Sequence, residues 1–153
     1  MSRISRLATI ALLTGATALT AGAQPASAAT TDAGWCHGEA VSTCIKLEVD
    51  GGNVRALATI RDVAGGTDFG VDVRWVKLQM YNRAVGRWVD VAVTTEEKFE
   101  YTYDVAATGW RTCAGQGGVA QFRAAGWYKW RNPSGAVFFD EMTTAAHGVP
   151  CAP

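Results

Sequence analysis

Few residues of this chain could act as catalytic nucleophiles or bases. Histidine occurs as His37 and His147, and after residue 28 serine occurs as Ser42 and Ser134. A catalytic triad needs a serine or cysteine beside a histidine that is oriented by an acid. Ser134 lies in an Asn-Pro-Ser-Gly turn, and we expect both histidines to be solvated residues outside the sheets. The residue types and their spacing therefore favour no nucleophilic site.

Adjacent acidic residues are the next candidates, because glycoside hydrolysis uses two carboxylates that face each other across the scissile bond. Two such pairs occur, Glu96-Glu97 and Asp140-Glu141. Neighbouring residues of a strand point to opposite faces, so neither pair is arranged for this chemistry. The sequence also contains no phosphate-binding loop, dinucleotide fingerprint or metal motif. We expect no enzyme activity and no cofactor; an unrecognised secreted hydrolase is kept as an alternative.

Four cysteines are present, Cys36, Cys44, Cys113 and Cys151. An even number of cysteines in an exported chain indicates disulfide bonds. Three pairings are possible, and we favour Cys36–Cys44 as a short loop together with Cys113–Cys151. A zinc site would need closely spaced cysteines or more histidines than this chain has, so we predict no bound metal.

The first 28 residues have the pattern of a secretory signal peptide. Arg3 and Arg6 precede an apolar run that ends near Leu19, and Ala26-Ser27-Ala28 forms a small-x-small cleavage pattern. We predict residues 1–28 as the signal peptide and residues 29–153 as one secreted domain without a membrane anchor. The full chain has 14 basic and 14 acidic residues, which are scattered rather than grouped. Because nucleic-acid binding requires a concentrated basic patch, nucleic acid is not an expected partner.

After the leader, short alternating segments are separated by Gly, Asn, Asp and Pro, and no long segment has a helical period. About seven strands at even spacing predict an all-β fold, and their order resembles an immunoglobulin-like β-sandwich. The antibody-type cysteine pair between the sheets is absent from the second and sixth predicted strands. A small β-barrel is the alternative topology.

Alternation along the strands divides the aromatic residues between two faces. In Val119–Trp130, Tyr128 and Trp130 share the core face with Phe122, which directs Trp127 outward. We expect Val89, Val91 and Val93 to point inward. In the Val71–Tyr81 strand, an alternative makes Val71, Val73 and Trp75 a core run, with a bulge between Trp75 and Val76. The residues predicted to share one outer face are Trp75, Lys77, Tyr81, Trp88, Arg123, Trp127 and Lys129.

Aromatic residues accompanied by cations are typical of recognition surfaces. The competing interpretation is that these tryptophans belong to the core, or that the connection around Trp110 covers them. If the face is exposed, the sequence predicts a binding module for another secreted or surface protein. A carbohydrate-binding module is the alternative, but sugar sites usually pair their aromatic residues with Asp, Asn and Gln, whereas here the companions are mostly Lys and Arg.

The alanine- and glycine-rich leader and the small cysteine-containing chain resemble small secreted proteins of actinobacteria. Within that group, the general pattern resembles the adaptor subunits of secreted streptomycete toxin particles. This resemblance rests on pattern rather than on a motif. It implies a non-enzymatic role as an adaptor, inhibitor or toxin-complex subunit.

Overall fold

The computed structural model describes residues 30–65, 69–114 and 117–152, and the predicted signal peptide lies outside them. The described residues form eleven strands and no helix. The strands are β1 (Thr30–His37), β2 (Val41–Asp50), β3 (Asn53–Asp62), β4 (Gly70–Asn82), β5 (Arg87–Thr95), β6 (Glu100–Tyr101), β7 (Tyr103–Ala107), β8 (Arg111–Thr112), β9 (Gly118–Arg131), β10 (Val137–Thr143) and β11 (His147–Cys151).

Two antiparallel sheets pack face to face as a β-sandwich, which confirms the predicted fold class and excludes a closed barrel. One sheet has the order β1-β2-β3-β7, with β8 also paired to β3. The other has the order β10-β9-β4-β5, with β11 paired to β9 and β6 paired to β4. The second order is that of the G, F, C and C′ strands of an immunoglobulin-like sandwich.

The core is formed by the inward-facing residues of both sheets, as strand alternation predicts. Its fully buried side chains include Ile45, Leu47, Val54, Ile60, Val71, Val73, Val76, Leu78, Tyr128, Met142 and Val149. Trp130 is half-buried against this core and stacks on Phe138. Gly126 leaves room for the side chain of Tyr128, because a Cβ atom on residue 126 would lie 2.9 Å from Tyr128 Oη.

Two bulges set the faces of β4 and β5. In β4 the register against β9 shifts between Val73 and Trp75, so Arg74 is the extra residue. Val71 and Val73 are therefore buried together with Val76 and Leu78, while Trp75 points outward. The alternative bulge between Trp75 and Val76 was misplaced by one residue.

The second bulge lies in β5, where Leu78 pairs with Ala92 and Gln79 pairs with Asp90. Val91 is the extra residue, and both Val91 and Ala92 pack against the core. The expectation that Val93 points inward was wrong, because the bulge turns it outward and leaves it 48% exposed.

Asp104 joins the two sheets beside the β4 bulge. Pairing with β5 ends at Trp75 and pairing with β6 begins at Val71, so no strand of the described residues pairs with the positions between them on that edge. Val73 N–H donates to Asp104 Oδ2 at 2.6 Å, and Val105 N–H donates to Asp104 Oδ1 at 2.8 Å. This buried carboxylate therefore satisfies two backbone donors, one from each sheet.

Asp72 lies in β4 between the core residues Val71 and Val73, so its side chain points to the opposite face of the strand. It is fully buried, and its carboxylate is only partly hydrogen-bonded. Oδ2 accepts a hydrogen bond from Arg74 Nη1 at 3.4 Å, and Oδ1 has no partner among the described residues. Burial raises the pKa of Asp72 above its ordinary value, and the nearby Arg74 opposes that shift only in part. Folding therefore disfavours the ionised form of this carboxylate relative to the unfolded chain.

We expect Asp72→Asn to stabilise the protein at neutral pH relative to wild type, and to give no gain near pH 3. Because the folded pKa of Asp72 is raised, its favourable contribution is present below the unfolded pKa and is lost as the pH rises through the folded pKa. Thermal unfolding at both pH values measures the effect.

Asp90→Asn is the matched control, because the pKa of Asp90 is lowered and its contribution is lost as the pH falls. The asparagine variant of Asp90 should therefore lose stability at neutral pH. If both asparagine variants lost stability at neutral pH, the assigned direction of the Asp72 pKa shift would be contradicted.

Both disulfides form with the favoured pairing. Cys36 and Cys44 are directly opposite in the β1–β2 hairpin, with their Cα atoms 4.1 Å apart. Cys113 follows β8 and bonds Cys151 at the end of β11, across a sequence separation of 38. The described cysteines are all paired, which is consistent with an extracellular location.

Candidate functional site

The seven residues that were predicted to share a face lie on β4, β5 and β9, in the sheet β10-β9-β4-β5. Their register brings them into rows across the strands: Trp75 is opposite both Trp127 and Thr95, and Tyr81 is opposite Trp88. We call the side of this sheet that faces away from the core the outer face. Two groups of aromatic rings lie on it.

The first group is a row of three rings across β10, β9 and β4. Phe139 and Trp127 are stacked, with ring centroids 5.6 Å apart and an interplanar angle of 13°. Trp75 follows at 6.4 Å from Trp127. Lys77 Nζ lies 4.7 Å from the centroid of Trp75, and Arg74 Cζ lies 6.0 Å from that of Trp127. Two cations therefore lie beside the row, where the attraction between a cation and an aromatic ring stabilises the arrangement.

The second group lies where β4 meets β5, close to their connecting hairpin. Tyr81 and Trp88 form an edge-to-face pair with centroids 5.4 Å apart. Arg123 extends from β9, and its Cζ lies 4.5 Å from the centroid of Trp88. Tyr81 is exposed, whereas Trp88 is half-buried.

A chain of polar contacts links the two groups. Lys77 Nζ lies 3.1 Å from Asp90 Oδ2, Gln79 Nε2 donates to Asp90 Oδ1 at 2.7 Å, and Arg123 Nε donates to Gln79 Oε1 at 2.7 Å. Partial burial disfavours the Asp90 carboxylate, but these donors and the Lys77 charge outweigh it and hold the pKa of Asp90 below its ordinary value. The outer face is thus a connected network rather than isolated side chains.

The segment around Trp110 does not cover this face. Trp110 lies over Arg55 of β3, with Arg55 Cζ 4.5 Å from its ring centroid, so it belongs to the opposite sheet. The segment between β5 and β6 covers one end instead: Lys129 Nζ and Arg131 Cζ lie 4.6 and 5.0 Å from the ring of Phe99. Lys129 therefore contacts Phe99. In the two aromatic groups, Phe139 and Tyr81 are exposed, whereas Trp75, Trp88 and Trp127 are half-buried.

Four contributors to the face were missing from the predicted set. Phe139 is 56% exposed and forms the end of the ring row. Arg74, Gln79 and Asp90 supply a cation, a bridging amide and the central carboxylate. Alternation along β10 could have placed Phe139, but the position of Arg74 depends on the bulge.

His37 is exposed, as expected, but the prediction that both histidines lie outside the sheets was wrong, because His37 is in β1 and His147 is in β11. His37 Nε2 is 2.6 Å from Asp140 Oδ2 of the other sheet. Thr43, which is buried, donates its hydroxyl to the same oxygen at 3.0 Å. The hydroxyl thus bonds the acid and not the histidine, which is unlike the nucleophile–base contact of a triad. The cluster bridges the two sheets.

The described residues include no group of three or more His, Cys, Asp or Glu side chains placed to hold a metal ion. Within the same residues, no helix has the length and apolar character needed to cross a membrane. No protein-family model matches the chain, and no curated protein matches it in sequence.

Proposed function

We propose that this chain is a secreted, non-enzymatic module that binds another protein through the outer face. Secretion is supported by the leader and by the two disulfides. The role would be that of an adaptor, an inhibitor or a toxin-complex subunit.

The observation that carries the proposal is the placement of two aromatic groups on a surface sheet face above a core that is already complete. The buried side chains beneath this sheet come from alternate positions of the same strands. The outer aromatic residues are therefore not needed to fill the interior. Exposed aromatic and arginine side chains are enriched where proteins bind one another with high energy.

The packing of the rings favours a protein partner over a carbohydrate. A sugar ring stacks on the free face of an aromatic ring. Trp127 already has Phe139 stacked against it, Trp75 has the Lys77 ammonium over its ring, and Trp88 has the Arg123 guanidinium over its ring. At least one face of each indole is therefore already in contact with another side chain, which leaves less ring surface for stacking on a sugar.

We expect Trp88→Ala to weaken partner binding by roughly thirtyfold, as truncation of a central interface residue costs about 2 kcal/mol. The partner would first be captured from the culture fluid of the source organism with immobilised wild-type protein and identified by mass spectrometry. Its affinity would then be measured with purified proteins by calorimetry, with a glycan array in parallel.

Trp110→Ala is the matched control, because Trp110 lies over Arg55 at the same 4.5 Å as Trp88 lies from Arg123, but on the opposite sheet. Both variants lose an indole and one cation contact, and Trp88→Ala also loses the contact with Tyr81, so thermal unfolding of both variants should accompany the binding measurement. Equal loss of binding in both variants would argue against the outer face. If a glycan binds the wild type but not Trp88→Ala, the ligand of the outer face is a carbohydrate rather than a protein.

A further inference from the structure

A cleft opens at one end of the outer face because β4 and β9 diverge. Their pairing ends at Met80 and Phe122. Beyond this point β4 continues against β5 as far as Asn82, while β9 pairs with β11 on its other edge, where Phe122 is opposite His147. The wedge between the separating strands has a volume of about 300 Å³.

The lining of this cleft is suited to an anion. The nine described residues that line it include one guanidinium, that of Arg83, and no carboxylate. Hydrogen-bonding side chains come from Tyr81, Asn82 and Gln121. Arg83 Nη2 donates to the backbone oxygen of Val119 at 3.2 Å, so the guanidinium spans the wedge from β4 to β9.

No carboxylate of the described residues neutralises the charge of Arg83. Among the described residues it forms that one hydrogen bond and no ion pair. A guanidinium carries five N–H donors in a planar fork that fits a carboxylate, so most of its donors remain available. The anchor to Val119 fixes the fork in the cleft and lowers the entropy cost of binding.

We infer that the cleft receives a carboxylate side chain from an acidic segment of the protein that the outer face binds. This inference rests on the proposed function and adds the chemistry of the partner. Tyr81 connects the two sites, because it lines the cleft and also contacts Trp88 of the second aromatic group. A partner segment lying along the outer face would thus reach Arg83 with the next part of its chain.

The test uses backbone amide chemical shifts of the uniformly labelled full domain, titrated with acetyl-tetraglutamate-amide. We expect shifts concentrated at residues 80–84 and 117–121, weakening as salt is added because the contact is charged. Acetyl-tetraglutamine-amide should leave these amides unchanged. Arg83→Gln should weaken binding of the glutamate peptide roughly three- to fivefold, as for a favourable solvent-exposed ion pair.

Arg61→Gln is the matched control, because Arg61 is an exposed arginine of β3 on the opposite sheet, and this variant should bind the peptide as wild type does. Equal binding of the glutamine peptide, an unchanged affinity of Arg83→Gln, or shifts spread over both sheets would each overturn the inference. The same amide shifts with inorganic phosphate would also overturn it, as the cleft would then accept anions in general.

Failure here is distinguishable from failure of the proposed function. If the captured partner is lost with Trp88→Ala but binds Arg83→Gln with unchanged affinity, the outer face binds a protein and the cleft does not contribute. If the glutamate peptide shifts the amides of the cleft while Trp88→Ala and Trp110→Ala bind the partner equally, the cleft binds carboxylates but the outer face is not the interface.

Discussion

Tyr128→Ala is expected to lower the free energy of unfolding by about 3–5 kcal/mol, the range for truncating a large buried aromatic residue. The ring of Tyr128 is fully buried between the sheets, and its hydroxyl donates to the backbone oxygen of Cys44 at 2.6 Å. That bond joins β9 of one sheet to β2 of the other. Urea unfolding followed by circular dichroism measures the change.

Tyr128→Phe separates the ring from the hydroxyl. It should cost about 1–3 kcal/mol, because the Cys44 oxygen loses its donor while the packing is kept. Burial, followed by the nearby Asp140 carboxylate, raises the pKa of Tyr128, so wild type should also lose stability as the pH rises above the ordinary tyrosine pKa.

Tyr103→Ala is the control, as Tyr103 is exposed and should change stability by about 0.5 kcal/mol or less. Equal losses for Tyr128→Ala and Tyr103→Ala would contradict the assigned core.

Removal of the Cys113–Cys151 disulfide by a double alanine substitution is expected to cost about 4 kcal/mol, from the entropy of closing its loop in the unfolded chain. The separation of 38 residues sets this value, and the bond ties the segment after β8 to the last strand. Denaturant unfolding of the oxidised proteins provides the measurement, and thiol titration of denatured wild type should find no free thiol.

The Cys36–Cys44 bond provides the comparison. Its separation is 8 residues, so the same argument predicts a smaller cost of about 2.5 kcal/mol for the double alanine variant. It also lies within a hairpin in which seven residues of β1 already pair with β2. A larger loss from removing this bond than from removing Cys113–Cys151 would contradict loop closure as the main source of stabilisation.

Alternation within single strands was a reliable guide to the site, because the direction of a side chain in a regular strand depends on position alone. It directed Tyr128 inward and Trp127 outward, and the structure confirms both. It failed at Val93, where a bulge adds one residue and reverses the faces that follow. Nothing in the local sequence around Val91 marks that bulge, since it arises from the pairing with β4.

The sequence by itself determined the all-β class, because strand alternation is a local pattern. It favoured the observed cysteine pairing and the outward direction of the seven site residues but left alternatives to both, which the structure decided. Only the tertiary structure decided that Trp110 lies on Arg55 of the other sheet and that Phe99 covers one end of the outer face. The cleft at Arg83 likewise exists because β4 and β9 diverge after Met80 and Phe122. These features depend on which strands lie side by side and where their pairing stops, and residues distant in sequence determine both through the packing of the sheets.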